Sequence, residues 1–138
     1  DAYLTVNPKK AIAEVDAILA DVPCTGLGAL RRRPEVRWRR TIKDLAPLLQ
    51  LQLELSDAAI SVLNPGGYFG YATCSPHFAE TTGQVRQILK KHPELELVNV
   101  ENLLPDGLTS ATRDGALSLW GHKHQTDSMF LAIFKKAN

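Results

Sequence analysis

Cysteine is scarce in this sequence, with only Cys24 and Cys74 among 138 residues. Two cysteines cannot supply the disulfide framework of a small secreted domain, and free thiols are typical of a reducing compartment. The four histidines are scattered and do not combine with the cysteines in the spacing of a zinc site. We therefore expect a cytoplasmic protein without a bound metal.

Long apolar runs are absent as well. A transmembrane helix needs about 20 consecutive apolar residues, and a secretory signal needs a charged segment followed by an apolar one. The sequence contains neither pattern, and its composition, 44% hydrophobic and 22% charged, is that of one globular domain. We expect no association with a membrane.

Excess positive charge is confined to residues 31–40, which we call the basic segment. The net charge is +1, and removal of the segment's six arginines and one glutamate leaves 10 basic and 14 acidic residues. The segment also contains Trp38, whose flat ring beside cations is typical of single-stranded nucleic-acid sites. The pattern favours nucleic-acid contact over a solvated surface and indicates as contacts Arg31, Arg32, Arg33, Arg37, Trp38, Arg39 and Arg40.

Apolar patterning predicts a strand, a long helix and a second strand over residues 16–21, 45–63 and 68–73. The first strand is apolar enough to be buried on both faces, and Asn64-Pro65-Gly66-Gly67 predicts a turn before the second strand. This order is typical of a right-handed parallel βαβ unit. On the helix, the inward face is expected to carry Leu48, Leu51, Leu55, Ala58, Ala59 and Val62, with Asp44 as N-cap.

Weaker patterns follow in the second half of the chain. They predict a helix over 80–91, a strand over 95–100, an irregular polar stretch over 101–116 and a strand over 128–134. The fold class expected from these elements is α/β, because strands alternate with helices.

Each cysteine follows the end of a predicted strand. Asp21-Val22-Pro23-Cys24 leaves the first strand, and Thr73-Cys74-Ser75 leaves the second. In an open α/β sheet, ligands bind outside the carboxyl ends of the strands, and neighbouring strands lie about 4.8 Å apart. Both thiols are therefore expected to face one crevice and to reach one small substrate.

Two thiols and the carboxyl group of Asp21 favour covalent addition to a ring carbon, followed by group transfer and elimination. A cysteine hydrolase is less well supported, because it needs a histidine such as His77 within hydrogen-bond reach of a thiol. The competing structural interpretation is that both cysteines are small buried apolar residues and that Asp21 caps a turn. For the matched pair of cysteines, the two interpretations carry about equal weight.

The segments Asp21–Gly28 and Arg31–Trp38, the turn 63–67 and the stretch Tyr71–Ser75 together resemble the RsmB/Sun (Fmu) type of RNA cytosine-5 methyltransferase. The closing residues 125–130, QTDSMF, look like that family's G-T-D-G-F-F segment. Residues 80–82 stand where many members have E-N-E, and Ser128 replaces a glycine. The resemblance covers nearly the whole chain.

The resemblance implies a Rossmann-like methyltransferase that uses S-adenosylmethionine to make 5-methylcytosine in RNA, with ribosomal RNA as the expected substrate. Cys74 would attack C6 of the cytosine, and Cys24 would assist release of the product. Asp21 would hold the cytosine edge and lie beside the cofactor, and Asp1 would contact the adenine side of the cofactor.

The family's glycine-rich cofactor loop is missing from residues 1–138. The resemblance therefore implies the carboxyl-terminal portion of a catalytic domain, the second half of the doubly wound fold, inactive alone. Strand 16–21 would then expose an apolar edge and favour self-association. The alternative to an enzyme is a non-catalytic RNA-binding module with structural cysteines.

Overall fold

The computed structural model describes residues 15–105 and 108–138, so Asp1 lies outside the described residues. In this part of the chain, helices pack on a six-stranded sheet. The elements are β1 (Val15–Asp21), α1 (Val36–Arg39), α2 (Leu45–Ser61), β2 (Leu63–Thr73), α3 (Thr82–Lys91), β3 (Leu95–Val98), β4 (Thr112–Arg113), β5 (Ala116–Leu119), α4 (Gly121–His124) and β6 (Met129–Lys136).

The strand order is β1-β2-β6-β5-β4, and β3 pairs with β6. Strands β1 and β2 are parallel and are joined through α2, which confirms the predicted βαβ unit. The remaining pairs are antiparallel, with β6 between β2 on one side and β3 and β5 on the other. The predicted α/β class is therefore confirmed as a mixed sheet.

Strand β1 forms an edge of the described sheet. The prediction that it is buried on both faces is wrong for this part of the chain, because Leu19 is 70% exposed. No strand among the described residues pairs with the outer side of β1, which leaves its apolar side chains uncovered. The expectation of an exposed apolar edge agrees with this arrangement.

Strand β2 begins earlier than predicted. Leu63 already pairs with Val15, and the register then shifts so that Tyr68 pairs with Ala17. The Asn64–Gly67 stretch is thus an irregularity inside the strand rather than a turn before it. Gly66, at φ 74°, adopts the left-handed conformation that this bend requires.

Helix α2 turns a partly polar face inward. Gln52, Ser56 and Ile60 are its buried residues, whereas Leu51 is 38% exposed and Ala58 is also exposed. The predicted inward face is therefore wrong at Leu51 and Ala58. The spacing of apolar residues could not identify Gln52 and Ser56 as buried, because both are polar. Gln52 and Ser56 are buried because their polar atoms have hydrogen-bond partners inside the protein.

The start of α2 also differs from the prediction. Asp44 does not cap α2 with its side chain, because it closes the capping box of the preceding 3-10 turn Ile42–Asp44. Its carboxylate accepts from the backbone N–H of Thr41 at 2.7 Å and from the Thr41 hydroxyl at 3.1 Å. The same capping chemistry thus acts one turn earlier than expected.

Other boundaries shift by a few residues. The predicted helix 80–91 is split into a 3-10 turn, Phe78–Glu80, and α3, while β3 ends at Val98 and β6 continues to Lys136. The stretch 101–116, predicted to be irregular, contains β4, and β5 and α4 were not predicted. No helix among the described residues has the length and apolarity needed to cross a membrane.

The core lies between the sheet and the two long helices. Phe69 and Phe134 are fully buried on neighbouring strands, with their rings stacked at a centroid distance of 5.7 Å. Ile60 of α2 and Ile88 of α3 belong to the same apolar cluster. This core holds the carboxyl ends of β1 and β2 in fixed positions relative to α2.

Candidate active site

The two cysteines lie together beyond the carboxyl ends of β1 and β2. The backbone N–H of Val22 donates to the carbonyl of Ala72 at 3.0 Å, so the pairing continues past β1. The Sγ atoms of Cys24 and Cys74 are 3.2 Å apart, and both cysteines are free thiols. The structure thus brings both predicted catalytic cysteines to one point.

The two thiols have different surroundings. Cys24 is buried, whereas Cys74 is partly exposed. The hydrogen bond from Cys24 lowers the pKa of Cys74 to about 7, although burial and the charge of Asp21 act against this shift. The same hydrogen bond, together with burial, raises the pKa of Cys24. Near neutral pH, about half of the Cys74 thiol is therefore ionised, while Cys24 keeps its proton.

Tight backbone contacts hold the loop that carries Cys24. The N–H of Gly28 donates to the carbonyl of Cys74 at 2.9 Å, and the N–H of Ser128 donates to the carbonyl of Gly28 at 3.0 Å. A Cβ atom on Gly28 would lie 2.0 Å from the Ser128 oxygen and 2.7 Å from the Cys74 oxygen. Only glycine fits here, because backbone on two sides fills the space.

Behind the cysteines lies the fully buried carboxyl group of Glu80. It accepts hydrogen bonds from Thr25, which follows Cys24, and from Ser75, which follows Cys74. Sequence reasoning missed this role, because a glutamate at the start of a helix is usually solvated. Only the tertiary contacts distinguish Glu80 from the exposed acids of the chain.

Asp21 is exposed at the end of β1. Its charge raises the pKa of Cys74, so the carboxylate lies within electrostatic reach of that thiol. Asp1, the second residue predicted to contact a cofactor, lies outside the described residues. Among the described residues, Asp21 is thus the one predicted cofactor contact.

The arginines of the basic segment are exposed, but they do not have equivalent contacts. Arg32 pairs with the buried Asp127, and its Nε lies 2.7 Å from Oδ2 of that carboxylate. The guanidinium of Arg37 lies 5.4 Å from the ring centre of Trp38, which is 76% exposed. The basic segment therefore presents exposed cations and one aromatic ring to solvent, whereas the guanidinium of Arg32 is engaged in an ion pair with Asp127.

The histidines are not placed to activate a thiol. His77 Nδ1 accepts from the N–H of Ala79 at 3.2 Å, and His92 pairs with Asp57 and Glu94. No histidine hydrogen-bonds either cysteine in residues 15–105 and 108–138. The described structure thus lacks the contact that a cysteine hydrolase requires.

Comparisons with known proteins give the chain a family. The model of the family described as 16S rRNA methyltransferase RsmB/F matches residues 3–135. A Mycobacterium tuberculosis (strain CDC 1551) protein described only as a methyltransferase, MT1451, is 48% identical over 121 residues, which cover 88% of this chain and 26% of that protein. Ribosomal RNA small subunit methyltransferase B of Cronobacter sakazakii is 35% identical over 89% of this chain and 27% of its own length.

A solved structure shows the same fold. NSun6 from Pyrococcus horikoshii, crystallised with SFG, superposes with a TM-score of 0.74 at 28% identity, covering 91% of this chain and 31% of that one. The chain thus spans about a quarter of the length of the two curated relatives. Because the family model covers nearly all of its residues, this chain belongs to the RsmB/F family of 16S rRNA methyltransferases.

Proposed function

We propose that this chain is the carboxyl-terminal portion of the catalytic domain of an S-adenosylmethionine-dependent ribosomal RNA cytosine C5-methyltransferase. The observation that carries the proposal is the 3.2 Å contact between Cys24 and Cys74 at the ends of two parallel strands. A partly exposed thiol with a lowered pKa beside a buried thiol with a raised pKa suits a reaction that needs a nucleophile and a proton donor. Membership of an rRNA methyltransferase family supplies the substrate class.

Cys74 is the nucleophile in this proposal. It is the more exposed cysteine and has the lower pKa, so it is the one that presents a thiolate to a ligand. Attack of its Sγ on C6 of cytosine forms an S–C6 bond and makes C5 electron-rich. The target base must leave its stack for C6 to come within reach.

Cys24 assists the end of the reaction. After C5 has accepted a methyl group, water takes the C5 proton, and the electron pair of the C5–H bond re-forms the C5–C6 double bond as the Cys74 thiolate leaves C6. Cys24 keeps its proton because its pKa is raised by the bond to Cys74 and by burial. Its S–H therefore stabilises the departing thiolate of Cys74, as it does in the free pair.

S-adenosylmethionine would supply the methyl group, and Asp21 is the described residue that we propose to lie between cofactor and base. Asp21 is exposed at the end of β1 and acts electrostatically on Cys74, which suits its proposed contact with the cytosine edge near N3. Asp1 remains proposed for the adenine side of the cofactor. We expect the isolated chain to bind the cofactor weakly or not at all and to be inactive.

The basic segment is proposed to bind the RNA backbone beside the cysteine pair. Its exposed arginines provide the charge, and Trp38 provides a ring on which an unpaired base can stack. The second candidate function is a non-catalytic RNA-binding module, in which these residues act and both cysteines are structural. The partly exposed Cys74, 3.2 Å from the buried Cys24, favours the enzyme, because cysteines that serve only packing need no access to solvent.

The test uses the full-length parent protein and RNA that carries 5-fluorocytosine. With S-adenosylmethionine present, fluorine at C5 blocks elimination, so we expect a covalent adduct whose crosslinked peptide contains Cys74. Cys74→Ala should abolish the adduct, whereas Cys24→Ala should still form it. An adduct on Cys24 would reverse the two roles, and absence of any adduct with a bound RNA would support the binding module.

A further inference from the structure

Glu80 is a charged residue type that has no contact with solvent in this fold. Its side chain is fully buried at the end of the 3-10 turn Phe78–Glu80. A buried carboxyl group is costly unless donors satisfy both of its oxygens. The groups that donate hydrogen bonds to this carboxyl group therefore indicate which parts of the chain it connects.

The donors come from the two loops that carry the cysteines. Oε1 accepts from the backbone N–H of Thr25 at 2.8 Å, and Oε2 accepts from the Thr25 hydroxyl at 2.5 Å. Oε2 also accepts from the hydroxyl of Ser75 at 2.6 Å. One carboxyl group is thus bound to the residue after Cys24 and to the residue after Cys74.

A buried glutamine completes the arrangement. Gln52 Nε2 donates to Oε1 of Glu80 at 3.1 Å and to the carbonyl of Pro23, the residue before Cys24, at 2.9 Å. Its Oε1 accepts from Tyr71 at 3.0 Å and from Gln84 at 3.0 Å, so every polar hydrogen and oxygen of this amide is used. Neither Gln52 nor Glu80 can rotate without breaking several bonds.

We propose that Glu80 is a positioning residue that sets the spacing of Cys24 and Cys74 by joining the loops that follow them. The proposal rests on the proposed function for its chemical meaning, since Cys74 needs the hydrogen bond from Cys24. The spacing itself is a property of the free protein. It can therefore be measured without RNA or cofactor.

The test variants change either the length or the charge of the side chain at position 80. Glu80→Asp keeps the carboxyl group but withdraws it by one methylene, so it cannot contact Thr25, Ser75 and Gln52 at once. Glu80→Gln keeps the length and can still satisfy the N–H donors through its carbonyl oxygen, while its NH2 faces hydroxyls that can turn to accept. Glu80→Gln is therefore the milder variant and the one expected to fold in any case.

The experiment measures binding of phenylarsine oxide to the full-length parent protein. This probe condenses with two thiols and releases one water, so its affinity depends on how close the thiols are held. We expect Glu80→Asp to weaken binding about tenfold, because the second thiol is then presented at a lower effective concentration. Glu80→Gln should weaken it by a smaller factor, and Glu54→Asp on the exposed face of α2 should leave it unchanged.

A matched core variant distinguishes a positioning role of Glu80 from a contribution to stability alone. Ile88→Val removes one buried methylene from the apolar core and none of the hydrogen bonds of Glu80, so it should lower Tm without changing the affinity for phenylarsine oxide. If Ile88→Val weakens the probe as much as Glu80→Asp does, the positioning role is wrong. The positioning role is also wrong if Glu80→Gln and folded Glu80→Asp both bind phenylarsine oxide with the affinity of the wild type.

Methylation kinetics separate this inference from the proposed function. In Glu80→Asp we expect kcat to fall by about 100-fold with little change in the KM for RNA, because misplaced reacting groups slow the chemical step. Suppose that the wild type methylates RNA and that Glu80→Asp has the kcat and the phenylarsine oxide affinity of the wild type. The positioning role is then wrong, and the proposed function stands. If the probe responds as expected but the wild type methylates no RNA, the proposed function fails and the positioning role stands.

Discussion

The Sγ atoms of Cys24 and Cys74 are 3.2 Å apart, although fifty residues separate them in the sequence. At this distance the thiols share a hydrogen bond, and the pair titrates as a unit. The more exposed member, Cys74, gains the lower pKa and is the one that solvent can reach.

The first prediction concerns the reactivity of Cys74 with pH. Its pKa of about 7 means that alkylation by iodoacetamide should rise with pH through 7, because only the thiolate reacts. Cys24→Ala removes the hydrogen bond that lowers this pKa, so the midpoint should move to 9.0 or above. The rate is measured by mass spectrometry of the Cys74 peptide.

Cys24→Ser is the matched control for this measurement, because a hydroxyl can still donate to the thiolate. Its midpoint should lie closer to that of the wild type than the midpoint of Cys24→Ala. An identical midpoint in all three proteins would show that the contact does not control the ionisation of Cys74.

The second prediction concerns Arg32 and Asp127. Arg32→Gln should lower Tm, because it leaves the buried carboxylate of Asp127 without its cation. Arg39→Gln, an equally exposed change in the same segment, should leave Tm unchanged. Equal Tm values for the two variants would mean that the ion pair adds nothing to stability.

The ion pair also predicts a pH dependence. The hydrogen bond from Arg32 lowers the pKa of Asp127 below its ordinary 3.8. A lowered folded-state pKa adds stability that is complete above 3.8 and is lost as pH falls toward the folded value. The difference in Tm between wild type and Arg32→Gln should therefore shrink on acidification below about pH 4, as thermal melts across that range can show.

The third prediction concerns RNA affinity. Arg31 and Arg33 are exposed members of the basic segment, and unlike Arg32 they form no ion pair with an acid of residues 15–105 and 108–138. Arg31→Ala and Arg33→Ala should each weaken RNA binding and reduce the slope of log affinity against log salt by about 1. Filter binding at several salt concentrations measures both quantities in the full-length parent protein.

Lys90→Ala is the control for RNA binding, because Lys90 is an exposed cation on α3 outside the basic segment. It should leave the salt slope unchanged. If Arg31→Ala and Arg33→Ala behave like Lys90→Ala, the basic segment does not contact RNA.

The fourth prediction concerns Gly28. Gly28→Ala should displace the loop of Cys24 and lower both Tm and the affinity of the thiol pair for phenylarsine oxide, because backbone oxygens of Cys74 and Ser128 block a methyl group. Gly70→Ala is the matched control, since its nearest contact is the flexible and exposed end of Leu19 at 3.0 Å. A Gly28→Ala protein with wild-type Tm and probe affinity would contradict the tight approach of these loops.

The fifth prediction concerns the exposed edge of β1. The isolated 138-residue chain should self-associate as its concentration rises, because no strand of the described residues pairs with the outer edge of β1 and Leu19 is exposed there. Leu19→Glu should weaken this association, whereas Leu103→Glu, at a residue of similar exposure elsewhere, should not. Sedimentation velocity over a range of concentrations distinguishes the three proteins, and equal behaviour of both variants would exclude the β1 edge.

Local sequence determined the βαβ unit and the position of both cysteines. Apolar runs identified β1 and the end of β2, and Val22-Pro23 and Thr73 marked where each strand stops. Because parallel strands joined by one helix place their carboxyl ends at the same edge, the meeting of Cys24 and Cys74 followed from the order of the elements. Local patterns were sufficient here because each signal lies within a few residues of the feature that it predicts.

Tertiary structure alone decided which polar residues are buried. Gln52 lies outside the predicted inward face of the long helix, and Glu80 lies at the start of the predicted helix 80–91, yet both are fully buried. Arg32 was one of six similar arginines until its contact with Asp127, 95 residues away, distinguished it. Burial of a polar group depends on partners that satisfy its hydrogen bonds, and those partners come from distant parts of the chain that only the folded structure brings together.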